Sequence, residues 1–184
     1  MNTEFENTYK TIARQIASPI GQCVLILGPE LAVDKEGIGY KTFFRKLVPP
    51  TSKYFDAENL FLFNDKSDTH YVMNNVIDYY GKVGDPSLLE MVSRIPFPLI
   101  INVCPDLALN KVFEKKGIPY SEAYFAIESK VKFDPIISIP SKEKPVIYNI
   151  FGSINVEQSL IFTHKKLYET IEYLLPKKSL PDNI

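Results

Sequence analysis

Pro98-Leu99-Ile100-Ile101-Asn102-Val103-Cys104-Pro105-Asp106 is the stretch on which the fold turns. Pro98–Val103 reads as a fully apolar strand, and it runs straight into Cys104-Pro105-Asp106. Proline favours the first turn of a helix, because its missing N–H has no partner there anyway. The pattern therefore predicts a helix over Leu107–Lys116, with Gly117 as its C-terminal stop. A strand that hands over directly to a helix is the building unit of a parallel sheet.

Outward from that centre the same alternation continues. Cys23-Val24-Leu25-Ile26-Leu27, broken by Gly28-Pro29, reads as a strand buried on both faces. Phe5, Tyr9, Ile12 and Ile16 recur at helical spacing and should stop near Pro19-Ile20-Gly21. Tyr40, Phe43, Phe44 and Leu47 form a second helical face, closed by Pro49-Pro50. Val72, Val76, Ile77 and Tyr80 form a third, ended by Gly81, and Leu88, Leu89 and Val92 a fourth, ended near Pro96. Leu60-Phe61-Leu62-Phe63 reads either as a short strand or as a plug beneath a loop.

On the C-terminal side, Tyr120–Ile127 alternates weakly and Val146–Phe151 is strongly apolar, so both read as strands. Ser129–Pro145, with three prolines and several charges, reads as a loop or ragged hairpin. Leu160–Phe162 is short and apolar, and Leu167, Ile171, Leu174 and Leu175 mark a last helix. The expected architecture is α/β: a doubly wound, mostly parallel sheet with helices on both faces. A single domain is expected over residues 1–176, with 177–184 as a linker or frayed tail.

Composition narrows the function classes. The chain has 184 residues, and 21 basic side chains nearly cancel 22 acidic ones, for a net charge of −1. That balance builds no basic field, so nucleic acid is not expected as a partner. Two cysteines outside any CxxC pair exclude a disulfide framework, and two histidines leave little for a metal centre. No metal is expected. Met1–Asn7 carries two glutamates and no basic residue, unlike a signal peptide, and no apolar run approaches the ~20 residues of a membrane span. A cytoplasmic chain is the expectation.

In open α/β sheets, ligands bind beyond the carboxyl ends of the strands. Three exits qualify: Gly28-Pro29-Glu30, Asn102-Val103-Cys104-Pro105-Asp106, and Phe151-Gly152-Ser153. Read alone, Gly28-Pro29-Glu30 is a strand-to-helix turn without a complete phosphate-binding fingerprint. Cys104, between a strand and a helix N-terminus, stands where a helix dipole lowers a thiol pKa. Its partner base would have to come from His70 or His164, both distant in sequence. Asp106 either contacts a ligand or complements the helix dipole.

Taken together, the three exits resemble the sirtuin-like NAD-binding domains of bacterial antiviral defence proteins. That family runs its first strand into Gly-Ala-Gly-x-Ser, a later one into Thr-Thr-Asn-Tyr-Asp, and a third into His-Gly-Ser. The resemblance spans Val24 to Leu175, with Ser159–Thr163 and the helix carrying Tyr168 following the third block. It implies a Rossmann-like, sirtuin-like fold and a cofactor-binding set of Gly28, Glu30, Asn102, Asp106, Gly152 and Ser153.

The departures from the family decide the functional expectation. Glu30 stands where the family has its second glycine and Ala32 where it has serine. Val103 stands on the asparagine that would meet the nicotinamide ribose, and Phe151 on the histidine that would act as general base. Phenylalanine accepts no proton, so that role is lost. The resemblance thus implies a pseudoenzyme: a non-catalytic scaffold, interaction or sensing module of a bacterial defence or stress protein. Its partner would be a protein, an adjoining domain or a second copy, with no cofactor. The alternatives are an NAD glycohydrolase using Asn102, Asp106 or Ser153 as substitutes, and a sensor of NAD or ADP-ribose. Glu30 is expected to lay its carboxylate on the amides at a helix start, where phosphates would otherwise rest.

Overall fold

A computed structural model of the chain describes residues 3–18, 23–83, 86–127 and 139–177. Four parallel strands make the central sheet: β1 (Val24–Leu27), β4 (Leu99–Asn102), β5 (Ser121–Tyr124) and β6 (Val146–Asn149), in the order β1-β4-β6-β5. Separately, β2 (Lys53–Phe55) and β3 (Leu60–Leu62) pair as an antiparallel hairpin. The helices are α1 (Thr3–Ala17), α2 (Tyr40–Leu47), α3 (Lys66–Tyr80), α4 (Pro86–Val92), α5 (Ala108–Lys116) and α6 (His164–Lys177). The chain is thus α/β, with a parallel sheet flanked by helices.

Side-chain alternation along the strands assigns the layers. Leu27, Ile100 and Ile147 point to one face and pack on Leu89 of α4 and on Leu109, Val112 and Phe113 of α5. Leu99, Val146 and Tyr148 point to the other, against Phe125 and Tyr173 of α6. The expected stop of α5 is present: Gly117 adopts φ 67°, and its N–H reaches the carbonyls of Phe113 and Glu114. The helix starts at Ala108, however, so Pro105 precedes its first turn instead of forming it.

A third cluster sits over the C-terminal ends of the strands. Phe44 is its centre, with the rings of Tyr40, Phe43, Tyr54, Phe61, Tyr79 and Tyr80 all within 6.1 Å, centroid to centroid. Tilted and edge-to-face ring pairs of this kind add roughly 0.5–1.5 kcal/mol each beyond the area they bury. The Tyr79 hydroxyl donates to the carbonyl of Ala32 at 2.6 Å, pinning the segment that follows β1. Of Leu60–Phe63, Leu60–Leu62 resolves as strand β3, tied to the 160–163 segment by a 2.8 Å bond from the Phe61 amide to the Phe162 carbonyl.

Two expectations need correction. β1 is not buried on both faces: it is an edge strand, and Val24 and Ile26 are 47% and 65% exposed. The helix α6 covers the second face beside β4, β6 and β5, and among the described residues nothing covers it beside β1. Likewise α1 forms where the spacing predicts, but Phe5, Tyr9 and Ile12 on its apolar stripe are 62%, 68% and 49% exposed. It is tethered at its end, where the Lys142 ammonium donates to the carbonyls of Ile16 and Ser18. Most of the Ser129–Pro145 reading, the stop at Pro19-Ile20-Gly21 and all but the first residue of the 177–184 tail lie outside the described residues.

Candidate binding crevice at the strand ends

Leu27, Asn102, Asn149 and Tyr124 end the four strands in one register row. Backbone bonds then lace the exits together. The Val103 amide donates to the Leu27 carbonyl, the Ile150 amide to the Asn102 carbonyl, and the Ile154 amide to the Pro105 carbonyl, at 3.0–3.1 Å. The three exits singled out from sequence therefore lie side by side.

The first exit offers no anion cradle. Pro29–Leu31 is a single 3-10 turn, and the amides of Leu31, Ala32 and Val33 already donate to the carbonyls of Gly28, Pro29 and Leu31. Glu30 is exposed, and its carboxylate turns back over Gly28, with Oε2 3.2 Å from where a Cβ there would stand. It accepts no hydrogen bond among the described residues, so the expected seat on helix amides is not taken. The donors it needed are engaged by the turn itself.

At the second exit the polar side chains serve the backbone. Asn102 accepts the Cys104 amide on Oδ1 at 3.1 Å and donates from Nδ2 to the Asp106 carbonyl at 3.3 Å. Asp106 accepts the Ala108 amide at 2.9 Å at the start of α5. Burial is the main cause that raises the Asp106 pKa to about 6. Gly28, Asn102 and Asp106 share a cleft of only about 10 Å³, less than one water-sized probe fills. Cys104 is 3% exposed, and burial pushes its thiol pKa up, against the lowering expected of a helix N-terminus. The Tyr80 side chain lies beside its sulfur. A buried, protonated thiol is a poor nucleophile.

The third exit is a packed corner. Gly152 adopts φ 90°, and Ser153 is fully buried. The Ser153 amide donates to Ser159 Oγ at 2.9 Å, and Ser153 Oγ donates to the Glu122 carboxylate at 2.9 Å. The serine has a carboxylate partner but no open face toward a ligand. Neither histidine joins these groups: His70 is exposed on α3, and the His164 ring meets Phe55 edge-on at 4.7 Å.

The space lies elsewhere. Between the strand exits and the hairpin tip is a cavity of about 260 Å³, lined in part by Tyr40, Glu58, Asn59, Tyr80, Val103 and Phe151. A smaller chamber of about 40 Å³ continues inward past Val103 and Phe151 toward Phe44. Val103 and Phe151, which the resemblance set on catalytic positions, thus face the cavity, while Asn102, Asp106, Gly152 and Ser153 do not line it. Asn59, at the hairpin tip with φ 59°, accepts the Tyr54 hydroxyl on Oδ1 at 2.5 Å. An Arg45–Asp56 ion pair at 2.8 Å joins α2 to the same tip.

Sequence reading missed Glu58 and Asn59. The available signal was Asp56-Ala57-Glu58-Asn59 between two aromatic runs, a turn ending in an Asn suited to the left-handed region. Among the described residues, no group of three or more His, Cys, Asp or Glu is placed to hold a metal ion. No helix among them is long and apolar enough to cross a membrane. No protein-family model matches the chain, and neither does any curated protein.

Proposed function

We propose that the chain is a catalytically silent, sirtuin-like binding module, serving interaction or sensing instead of turnover. One observation carries this reading: Val103 and Phe151, where the resemblance expects the catalytic groups, wall the cavity at the strand ends as apolar side chains, no histidine lines it, and its one carboxylate, Glu58, sits on the exposed hairpin tip. General acid–base catalysis needs a titratable group within hydrogen-bond reach of the reacting atoms. The aligned strand exits support the sirtuin-like part of the reading. The position of β1 at the sheet edge speaks against whole-dinucleotide binding, since the dinucleotide fold carries strands on both sides of its first strand. The exposed stripe Phe5, Tyr9 and Ile12 supports a protein partner docking on α1. We extend the proposal to a cytoplasmic module of a bacterial defence protein, on the resemblance alone.

An NAD glycohydrolase is the competing reading, and buried Asp106, poised near pH 6, is what favours it. The test is nicotinamide release from NAD over hours at micromolar protein. None above background is expected. Steady release that Asn102→Ala or Asp106→Ala abolishes would replace this proposal with the hydrolase.

A further inference from the structure

The cavity of about 260 Å³ carries information on what would fill it. An apolar cavity of about 150 Å³ accommodates benzene. This one therefore suits a fused two-ring system, and it falls below the roughly 300–1,000 Å³ of typical cofactor pockets. Tyr40, Tyr80 and Phe151 supply aromatic walls, against which planar rings stack or meet edge-on.

Charge narrows the choice. Glu58 lines the cavity, and among the described residues no lysine, arginine or histidine does. The Glu30 carboxylate is close enough to act on both Tyr40 and Cys104. The Lys41 ammonium stands outside that lining, 5.7 Å from the Tyr40 ring centroid. A phosphate would enter beside Glu58 with no cation in the cavity wall to neutralise it, at a high desolvation cost. A ring cation would gain from the aromatic faces as well as from Glu58. Asn59, with Oδ1 taken by Tyr54, keeps its Nδ2 free among the described residues to donate to a ring nitrogen.

We infer that this cavity binds one planar, two-ring heteroaromatic molecule, neutral or singly cationic, and rejects phosphate-bearing nucleotides. The inference rests on the reading of the crevice as a non-catalytic binding site.

The test titrates the full chain with quinoline, 1-methylquinolinium, quinoline-6-carboxylate and AMP. The chain has no tryptophan, so quinoline fluorescence is excited beyond tyrosine absorption, and calorimetry supplies a second readout. Quinoline and 1-methylquinolinium are expected to saturate at or below about 1 mM, with the carboxylate and AMP at least about tenfold weaker. Val103→Phe should weaken both binders by about tenfold or more by filling the cavity. Glu58→Lys, on an exposed tip, should weaken the cation by about fivefold and leave quinoline within about twofold. That exposed variant keeps the test independent of folding.

Absence of saturable binding, AMP binding as tightly as quinoline, or a Glu58→Lys variant that leaves the cation unaffected would each overturn the inference. Failure here is separable from failure of the module reading. NAD turnover alongside probe binding would remove only the latter, and no turnover with no probe binding would remove only the ligand.

Discussion

A Cβ added to Gly152 would stand 2.3 Å from the carbonyl oxygen of Ser159. With φ at 90°, the backbone there also lies where L side chains rarely go. The glycine that looks like part of a nucleotide loop is thus required by a backbone approach inside the protein. The same corner buries Ser153 and Ser159 and holds the 151–161 segment closed through the Ile161 amide and the Phe151 carbonyl, 3.1 Å apart.

Gly152→Ala is accordingly expected to destabilise the fold by about 2–4 kcal/mol, from combined positive-φ strain and displacement of Ser159. Chemical denaturation measures this. A shift below about 0.5 kcal/mol would mean that the corner relaxes freely.

Asp106 should impose a pH dependence of defined sign. Its carboxyl has a pKa of about 6 in the folded chain against 3.8 for a free aspartate, because burial disfavours the charge. Below about pH 4 both states hold the proton. Between about pH 4 and 6 the unfolded chain releases it first, so stability falls as pH rises. The loss is complete above about pH 6 and amounts to roughly 3 kcal/mol. Asp106→Asn keeps an acceptor for the Ala108 amide and removes the charge. Urea unfolding should show the variant gaining on the wild type by about 2–3 kcal/mol between pH 4 and 7.5. An unchanging difference across that range would refute the buried, titrating carboxyl.

Thiol labelling separates the two cysteines. Cys23 is half-buried and Cys104 is buried, with its thiol pKa pushed up by burial. A disulfide reagent added to the native chain should modify Cys23 alone, and Cys104 only once denaturant is present. Prompt labelling of both in native buffer would restore Cys104 as a reactive group.

The stripe on α1 should be thermodynamically idle in the isolated chain. Phe5 and Tyr9 are 62% and 68% exposed, so Phe5→Ser with Tyr9→Ser should change stability by no more than about 0.5 kcal/mol. Binding of a hydrophobic dye should fall with it. A loss above about 1 kcal/mol would show that the stripe packs on the sheet, and the docking role assigned to it would lapse.

The local pattern of the chain determined its elements. The handover from Pro98–Val103 to a helix stopped by Gly117 was legible because a strand run, a proline and a left-handed glycine each act over a few residues. Among the described residues, the four strands of the sheet and the six α-helices fall on stretches whose spacing announced them, β5 only weakly. What the chain could not announce is who stands next to whom. Cys23–Leu27 is as apolar as a central strand, yet β1 lies at the edge, since burial depends on neighbours that arrive from distant sequence. Cys104 illustrates the same limit: the residues after it promised a helix N-terminus, while the aromatic cluster above it imposed the burial that raised its pKa. The site followed suit. Sequence placed the three strand exits in one row, but only tertiary packing decided that Asn102 and Asp106 turn to serve the backbone and Ser153 the Glu122 carboxylate. The same packing brings Glu58 and Asn59, carried in by a hairpin more than 40 residues from Val103, around the open space. Helical and strand periods are properties of neighbours in sequence, and a cavity is a property of neighbours in space.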